Sequence, residues 1–371
     1  MRIAYIVSTL KRCGPNNQLR SIIRHLDRDR FVPMVITLSP EPDDSVKELF
    51  VQDGIDVHSL NLSRFAGLFS GRRRLRDLLR AQRISLLHTQ GIRADSLASS
   101  LHREWLGVCS VRNFPQLDYP MTYGRARGRW MAYSHATALR RIAAPVGVSD
   151  AVRRNLLDHF GVHARTICNG VETGIWVPAP AQERAALRKQ LNVAEGERLW
   201  LSVGHLSERK DPLAVIAAFR AARLQNTRLV FLGGGPQEEA CHRAAEECEQ
   251  IVIAGRVENV ADWLRAADAF VSASHAEGFP NAVLEALSCG LPCVLSDIPP
   301  HAELAERAGE CIRLFAEGDE SGMARQNGRL DPGASLRTAA RAAAETAFSA
   351  QATSEQYQAI YRELTEGAHH A

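Results

Sequence analysis

The sequence predicts an α/β protein with two doubly wound, Rossmann-like domains, each built on a parallel sheet, that face each other across a cleft. Three observations lead to this prediction. The length of 371 residues suits two domains of ordinary size. In both halves, short apolar runs alternate with amphipathic stretches, which is typical of parallel strands covered by helices on both faces. A Pro/Ala-rich segment, 176–184, separates the halves.

The first half contains seven apolar runs that we predict as buried strands. They are 2–8, 31–38, 55–60, 84–89, 107–111, 142–149 and 164–170. Apolar residues recur at helical spacing in five stretches between them: 15–26, 43–53, 70–82, 92–103 and 149–159. We interpret the N-terminus as a strand and not a signal peptide, because it has no small-residue cleavage site.

The second half repeats this alternation. Its predicted strands are 198–204, 228–234, 251–255, 269–274, 292–297 and 310–315. Its predicted helices are 211–224, 236–248, 259–266, 278–289, 300–308 and 333–348. The predicted organisation is therefore an N-terminal domain (1–175), a linker (176–184), a C-terminal domain (185–350) and a final segment (351–371). That segment is predicted as a helix, and its packing against the N-terminal domain stays open.

Composition and charge exclude several classes of protein. A hydrophobic fraction of 45% excludes a disordered chain, and no apolar run is long enough to span a membrane. The eight cysteines include no C-x-x-C pair, which favours reduced thiols and a cytoplasmic location. Residues 1–180 have 26 Lys+Arg and 15 Asp+Glu, whereas residues 181–371 have 19 and 27. The basic first half suggests an anionic partner.

The most unusual loop is 274–292, which follows a predicted strand and leads into a helix. Ligands of open parallel sheets bind at such loops. Gly278, Phe279 and Asn281 offer backbone N–H groups at the positive end of the helix, which suits a diphosphate. Glu277 and Glu285, eight residues apart, would then bind sugar hydroxyls, with about 12 Å between them along a helix. The alternative for either residue is an ordinary surface glutamate on a capped helix.

Three further loops have suitable chemistry. In the loop 203–212, Gly204 and His205 precede Arg209 and Lys210, two cations placed where a phosphate would lie, or else solvated loop charges. The glycines of 233–235 permit close backbone approach, although turns use glycine for the same reason. Gly14 follows the first strand and could also cradle a phosphate, but no Walker A sequence is present.

Taken in order, six motifs resemble glycosyltransferase family 4, whose members are retaining enzymes with the GT-B fold. The motifs are VSDAV (148–152), ICNGVE (167–172), SVGHLSERKDP (202–212), LGGGP (232–236), AGRVENV (254–260) and EGFPNAVLEALSCGLP (277–292). The resemblance covers residues 2 to about 305. It implies a hexosyltransferase that uses a nucleoside-diphosphate sugar to build a bacterial surface polysaccharide, such as lipopolysaccharide, capsule or exopolysaccharide.

The resemblance also implies roles for individual residues of the second half. Lys210 and Arg209 would neutralise the donor diphosphate. Glu285 would bind the ribose of the nucleotide, and Glu277 would bind hydroxyls of the hexose. The backbone from Phe279 through Pro280 to Asn281 would hold the sugar and phosphate.

Other roles implied by the resemblance fall in both halves. Arg256 and Val257 would border the nucleobase, and Gly14 would close the site from the N-terminal domain. His88 would correspond to the first histidine of the family's H-x-H and would act in catalysis.

The sequence departs from the family pattern at three places. His205 stands where an arginine is common, and Gln90 replaces the second histidine of H-x-H. The sequence G-P-N-N at 14–17 replaces G-G-x-E, which we expect to alter the acceptor side.

We expect no cofactor and no required metal ion. The one D-x-D, Asp27-Arg28-Asp29, precedes the second strand at the wrong end of the sheet and is interpreted as a solvated turn. Because no carboxylate nucleophile is identified, a front-face reaction assisted by the leaving diphosphate is favoured over a covalent intermediate.

Two basic segments suggest peripheral contact with the inner face of the cell membrane. The segment 63–83 combines six arginines between positions 72 and 83 with apolar residues, including Phe65, Leu68 and Phe69, at helical spacing. Its alternative interpretation is a helix that covers the sheet and has a solvated basic face. The segment 112–141 is aromatic and basic, and would hold a lipid-linked or glycan acceptor.

Nucleic acid is not expected as a partner, because no recognised binding module accompanies the charge. Two other functions remain open: a protein similar to nucleotide-sugar 2-epimerases, and a non-catalytic sugar-nucleotide-binding protein.

Overall fold

The computed structural model describes residues 1–63 and 70–367. The N-terminal unit comprises Met1–Gly170 and a segment that starts at Ala350, and the C-terminal unit comprises Val171–Ser349. Each unit contains one parallel sheet flanked by helices, so the predicted fold class is confirmed.

The unit boundaries differ from the predicted ones. The chain enters the C-terminal unit at Val171, and the segment predicted as a linker, 176–184, belongs to this unit. A helix starts inside that segment at Ala181. Pro178 and Pro180 precede the helix. They give the segment 176–184 a composition that resembles that of a flexible linker.

The N-terminal unit has a seven-stranded sheet in the order β3-β2-β1-β4-β5-β6-β7. Its strands are β1 Arg2–Val7, β2 Val32–Thr37, β3 Asp56–Ser59, β4 Leu86–Gln90, β5 Leu106–Val111, β6 Ala144–Gly147 and β7 Arg165–Thr166. All neighbouring pairs are parallel. Tyr5 and Ile6 of β1 are buried in different clusters on opposite faces of the sheet, which explains why the strands are apolar without alternation.

The helices of this unit cover both faces of its sheet. They are α1 Gly14–Arg24, α2 Lys47–Gln52, α3 Gly71–Ala81, α4 Ile92–Ser99, α5 Pro115–Tyr123, α6 Arg125–Leu139 and α7 Asp150–Phe160. α1 buries Leu19, Ile22 and Ile23 in the cluster around Tyr5, and α3 buries Leu75 in the opposite one. The D-x-D at 27–29 is exposed between α1 and β2, at the amino end of the strand, as predicted.

The C-terminal unit has a six-stranded parallel sheet in the order β10-β9-β8-β11-β12-β13. Its strands are β8 Arg198–Val203, β9 Thr227–Leu232, β10 Ile251–Ile253, β11 Ala269–Ser272, β12 Cys293–Ser296 and β13 Ile312–Phe315. In both sheets the order reverses beside the first strand of the unit. Such a reversal places the loops at the carboxyl ends of the central strands around an open crevice.

The helices of the C-terminal unit follow the same scheme. They are α8 Ala181–Gln190, α9 Pro212–Ala222, α10 Glu238–Ala245, α11 Val260–Ala266, α12 Asn281–Ser288, α13 Pro299–Ala308, α14 Glu320–Arg329 and α15 Ala334–Ala347, and a 3-10 turn covers Gly309–Cys311. The core includes Trp200, Phe231 and Val271 from three strands and Phe219 from α9.

The last helix, α16 Ala350–Gly367, belongs to the N-terminal unit. Tyr357, Ile360 and Tyr361 are buried in the core cluster that contains α1. Gln358 accepts a hydrogen bond from the Asp27 backbone at 3.1 Å, and the Ser354 hydroxyl donates to the Ile22 carbonyl at 2.8 Å.

No helix among the described residues is long and apolar enough to cross a membrane. All eight cysteines are among the described residues; none forms a disulfide, and six of them are buried.

Candidate functional site

The Glu277 loop, residues 274–281, lies between β11 and α12 at the carboxyl edge of the C-terminal sheet. Glu277 is buried, and its carboxylate forms an ion pair with the ammonium group of Lys210. The hydroxyl of Ser274 donates to Glu277 Oε1 at 3.0 Å. The structure therefore brings together the lysine and the glutamate that the sequence predicts to contact different parts of one ligand.

The Lys210 loop, residues 204–211, follows β8 and is attached directly to the Glu277 loop. Arg209 donates to the Ala276 carbonyl at 3.0 Å, and its backbone carbonyl accepts from the His275 N–H at 2.9 Å. A second nitrogen–oxygen distance, 3.8 Å, joins Arg209 to Glu277 Oε2. Two cations thus face one buried carboxylate, and both of their side chains remain partly exposed.

These charges decide the protonation state of Glu277. Burial alone would raise its pKa, but the positive charges of Lys210 and Arg209 outweigh burial and hold the pKa below its ordinary value. Glu277 is therefore ionised at neutral pH and can accept hydrogen bonds from hydroxyl groups.

Glu285 lies on α12, and its relation to Glu277 differs from the predicted one. The helix begins at Asn281, so Glu277 precedes it in a loop and only one turn separates Asn281 from Glu285. The estimate of about 12 Å used the helical rise for all eight residues, which does not apply to the part of the chain before Asn281. Burial raises the pKa of Glu285 to about 8, and the half-buried carboxyl group is largely protonated at neutral pH in the ligand-free protein.

Most of the other predicted residues of the Glu277 loop are buried. Gly278, Phe279 and Pro280 are buried, and the Phe279 ring lies 6.0 Å from the ring of Phe348. Pro280 is the residue before α12, and no side chain caps this end of the helix. Asn281 is the first residue of α12 and is partly exposed at its positive end.

Two neighbouring loops, around Gly233 and Gly255, pack closely beside the Lys210 loop. Gly233 donates to the Gly255 carbonyl at 2.7 Å, and Gly204 donates to the Leu232 carbonyl at 2.9 Å. A Cβ atom at Gly233 would lie 1.8 Å from the Gly204 carbonyl oxygen, so only glycine fits there. The loop that contains Arg256 and Val257 is therefore held directly against the triple-glycine loop.

The side chains at the rim of these loops are more open. His205 and Arg256 are exposed, and Val257 is partly buried. The Arg256 side chain runs past Gly234, since a Cβ atom there would lie 3.5 Å from Arg256 Cγ. Among the described residues, the structure thus brings every predicted donor-binding residue of the C-terminal unit to one edge of its sheet.

Two histidines of this edge were missed by the sequence reasoning. His275 joins Asp211, at 3.0 Å from Nε2, to Glu317, at 2.7 Å from Nδ1. His301 is fully buried, and its Nδ1 donates to the Ser296 carbonyl at 2.8 Å, whereas Nε2 has no hydrogen-bond partner. Burial lowers the pKa of His301 to about 4. Both histidines follow buried strands, a signal that could have identified them.

The N-terminal unit has its own polar edge. Gly14 is the first residue of α1 and is partly exposed after β1. The amide of Gln90 donates to Asn16 Oδ1 at 3.1 Å. Arg112 connects Gln90 Oε1, at 3.0 Å, with Asn169 Oδ1, at 2.7 Å. Two departures from the family pattern, at Gln90 and Asn16, are therefore in contact with each other. Arg112 belongs to the same hydrogen-bonded group and was not predicted from the sequence.

His88 does not belong to this edge, contrary to prediction. It is buried in β4, and both ring nitrogens are occupied: Nδ1 lies 2.6 Å from the Tyr361 hydroxyl and Nε2 lies 2.8 Å from Ser110 Oγ. Burial lowers its pKa to about 3. His88 therefore connects the sheet with α16 and presents no free nitrogen to a substrate.

Residues 1–63 and 70–367 contain no group of three or more His, Cys, Asp or Glu side chains that could hold a metal ion. Lys210 and Arg209 bring positive charge to the carboxyl edge of the C-terminal sheet.

Family models match both units. Residues 13–174 match the model described as glycosyltransferase family 4, and residues 197–330 match the model described as glycosyl transferases group 1. The chain belongs to glycosyltransferase family 4. It is a glycosyltransferase, and its two parallel-sheet units are those of the GT-B fold.

Individual relatives of this glycosyltransferase agree with the family. The O-antigen biosynthesis glycosyltransferase WclY of Escherichia coli is 22% identical over 324 residues, which are 83% of each chain. Among solved structures, sucrose-phosphate synthase of Thermosynechococcus elongatus has a TM-score of 0.81 at 18% identity and covers 99% of this chain and 100% of its own. HepE of Anabaena, in complex with UDP-glucose, also has a TM-score of 0.81 at 19% identity, with 98% and 100% covered.

Proposed function

We propose that this glycosyltransferase moves a hexose, with retention of configuration, from a nucleoside-diphosphate sugar to a glycan or lipid-linked acceptor. The product would be a bacterial surface polysaccharide. The observation that supports this proposal best is the cluster of Lys210, Arg209 and Glu277 at the carboxyl edge of one sheet. It combines charges that suit a diphosphate with a carboxylate that suits hydroxyl groups.

Donor binding would replace the ion pair between Lys210 and Glu277 with contacts to the ligand. The ammonium of Lys210 and the guanidinium of Arg209 would bind the diphosphate and stabilise the charge that develops on it as the glycosidic bond breaks. Glu277, which is already ionised, would accept hydrogen bonds from the hexose. Glu285 would bind the ribose hydroxyls, and its protonated carboxyl group would lose its proton as it does so.

The reaction would take place on one face of the sugar. Glu277 is assigned to the hydroxyl groups of the sugar and not to nucleophilic attack on it. The leaving diphosphate would instead guide the acceptor hydroxyl to the face that it leaves. No metal ion or other cofactor would be required, because Lys210 and Arg209 provide the positive charge for the leaving group.

The protein would act in the cytoplasm, on the inner face of the membrane. WclY is named for O-antigen biosynthesis, and HepE has been solved with UDP-glucose. The first name supports a polysaccharide product, and the HepE complex supports a nucleotide-sugar donor. The basic first half of the chain fits an acceptor that is anionic or linked to anionic lipid.

The test is turnover of a panel of UDP-, GDP- and ADP-sugars in EDTA, followed by NMR of the released sugar. We expect slow nucleotide release from one donor and a first-formed sugar with the anomeric configuration of that donor. The opposite anomer, or a covalent glycosyl-enzyme detected by mass spectrometry, would contradict the proposed mechanism.

The same panel separates the two alternative functions. A changed sugar without nucleotide release would indicate an epimerase. Tight donor binding without any turnover, even with membrane extracts as acceptor, would indicate a non-catalytic binding protein.

A further inference from the structure

The helical hairpin, α5 and α6 (residues 115–139), is attached firmly to the N-terminal unit. The two helices touch at Gly128, where a Cβ atom would lie 2.3 Å from the Pro120 nitrogen. Tyr119 and His135 join the hairpin to Asp95: the Tyr119 hydroxyl lies 2.9 Å from His135 Nδ1, and His135 Nε2 lies 2.7 Å from Asp95 Oδ2. All three of these hydrogen-bonded side chains are buried, so the hairpin is a fixed part of the unit.

The outer surface of this hairpin is unusually apolar for a solvated surface. Nine large hydrophobic side chains are exposed in the described part of the protein, and five of them lie on the hairpin: Leu117, Met121, Tyr123, Trp130 and Tyr133. The exposed fractions of Trp130 and Met121 are 70% and 63%. Clustered exposed apolar groups of this size mark a binding surface more often than a solvated one.

The charge of the hairpin has one sign. The sequence has no Asp or Glu from 119 to 149, whereas it has five arginines there: Arg125, Arg127, Arg129, Arg140 and Arg141. Arg125, Arg127 and Arg129 form no ion pair with any described residue, and Arg127 lies over the Tyr123 ring at 5.6 Å. The turn between the helices, at Gly124, is exposed together with the residues on either side of it.

The other basic segment, 63–83, has a different construction. Phe65, Leu68 and Phe69, on which its amphipathic character partly depends, lie outside the described residues. In the described helix α3, Leu75 and Leu79 are buried, and no large apolar side chain is exposed. Arg76 and Arg80 form ion pairs with Glu104. α3 is therefore a helix that covers the sheet and has a basic outer face, the alternative interpretation of this segment.

We propose that the helical hairpin, and not α3, docks this glycosyltransferase on an anionic lipid bilayer. Trp130, Tyr123 and Met121 would enter the interface, and Arg125, Arg127 and Arg129 would pair with lipid phosphates. Tryptophan and tyrosine favour this position because one end of each side chain is apolar and the other is polar. This inference rests on the peripheral location included in the proposed function, and it names the surface responsible.

The test is co-sedimentation of the full-length protein with vesicles of phosphatidylcholine, with or without phosphatidylglycerol. We expect binding to the anionic vesicles only. The triple variant R125Q/R127Q/R129Q is expected to bind far more weakly, by about fivefold for each arginine removed. The variant M121S/W130S removes apolar groups without changing charge, and we expect it to lose at least about tenfold as well.

The matched control is R72Q/R73Q/R74Q on α3, which removes the same charge from three exposed arginines. We expect this control to retain binding within about threefold, because distant charges contribute weakly within a salt-screened field. Equal loss in the control and the hairpin variant, or no binding of the wild type to anionic vesicles, would overturn the proposal.

Circular dichroism and thermal unfolding identify any variant that does not fold; all the substituted residues are exposed, so folding should be unaffected. Donor hydrolysis in solution separates the two proposals. Vesicle binding without donor turnover would contradict the proposed function and leave the docking surface standing. Turnover without vesicle binding would overturn the docking surface alone.

Discussion

The two parallel sheets show how polar side chains come to serve different purposes. In the C-terminal unit, Lys210 and Glu277 stand on loops after the strands, where they bind each other and remain close to the surface. In the N-terminal unit, His88 stands within a strand and is sealed between the sheet and the last helix. A polar residue after a strand can meet a ligand, whereas one inside a doubly covered strand has to be satisfied by the protein.

The largest effect is expected at Lys210. We expect Lys210→Met to lower kcat by about 10²–10³-fold, because it removes the cation assigned to the leaving diphosphate. It should also lower the free energy of unfolding by about 3 kcal/mol, since buried Glu277 would keep only the hydrogen bond from Ser274 and the longer contact with Arg209. Initial rates and urea unfolding measure the two effects.

Lys189→Met is the control for this variant, because Lys189 is an exposed lysine on α8 of the same unit. Its kcat and stability should stay close to the wild type. A Lys210→Met protein with the wild-type kcat would show that the cluster has no part in catalysis.

The opposite result is expected at His88. His88→Phe keeps the ring but leaves the hydroxyls of Tyr361 and Ser110 without their partner, so we expect a loss of about 2–4 kcal/mol in the free energy of unfolding. The kcat of the folded protein should change less than about threefold, since His88 touches no substrate in this account. A fully stable but inactive variant would return His88 to the active site.

The pH dependence of stability gives a second test of the buried state of His88. The pKa of His88 in the folded protein, about 3, lies below the ordinary value of about 6.5 in the unfolded chain. Because the unfolded chain binds the proton first, this group costs stability as the pH falls from about 6.5 towards 3. The acid side of the stability curve should therefore be flatter in His88→Phe than in the wild type.

A smaller effect with the opposite sign is expected at Glu285. The pKa of Glu285 in the folded protein, about 8, lies above its ordinary value of about 4.5. Because the unfolded chain loses this proton first, the free energy of unfolding falls as the pH rises from about 4.5 to 8. The whole difference in pKa corresponds to roughly 4 kcal/mol at pH 8, and solvent screening of the partly exposed carboxyl group reduces it. Glu285→Gln should therefore be more stable than the wild type at pH 8, by about 2 kcal/mol, and closer to it at pH 5. Thermal unfolding at both values tests this.

The same Glu285 variant tests the proposed ribose contact. Calorimetry with the nucleoside diphosphate selected by the donor panel should show weaker binding to Glu285→Gln, although that variant is the more stable protein at pH 8. Unchanged affinity would contradict the role of Glu285.

The smallest effect is expected at His301. The amide of His301→Asn can replace the hydrogen bond to the Ser296 carbonyl, and the substitution removes a ring nitrogen that has no partner. These gains offset the lost packing, so we expect a change within about 1 kcal/mol, in contrast to His88→Phe. A loss as large as that at His88, measured by urea unfolding, would indicate an undetected partner of His301.

Sequence alone predicted all thirteen strands and the residues that gather at the carboxyl edge of the C-terminal sheet, because apolar periodicity and loop position encode both. It missed the hairpin helices, since Pro120 and Gly124 interrupt the helical spacing there. It also placed His88 at the active site. The direction of a side chain within a covered strand depends on its neighbours, Tyr361 and Ser110, one of which lies 273 residues away in the chain.

Nucleotide release from the preferred donor in EDTA, compared among the wild type, Glu277→Gln and His88→Phe, tests whether Glu277 acts on the donor and His88 only stabilises the fold. We expect similar release by the wild type and the folded fraction of His88→Phe, and a loss of about 10²–10³-fold in Glu277→Gln. Active Glu277→Gln, together with folded but inactive His88→Phe, would contradict both assignments.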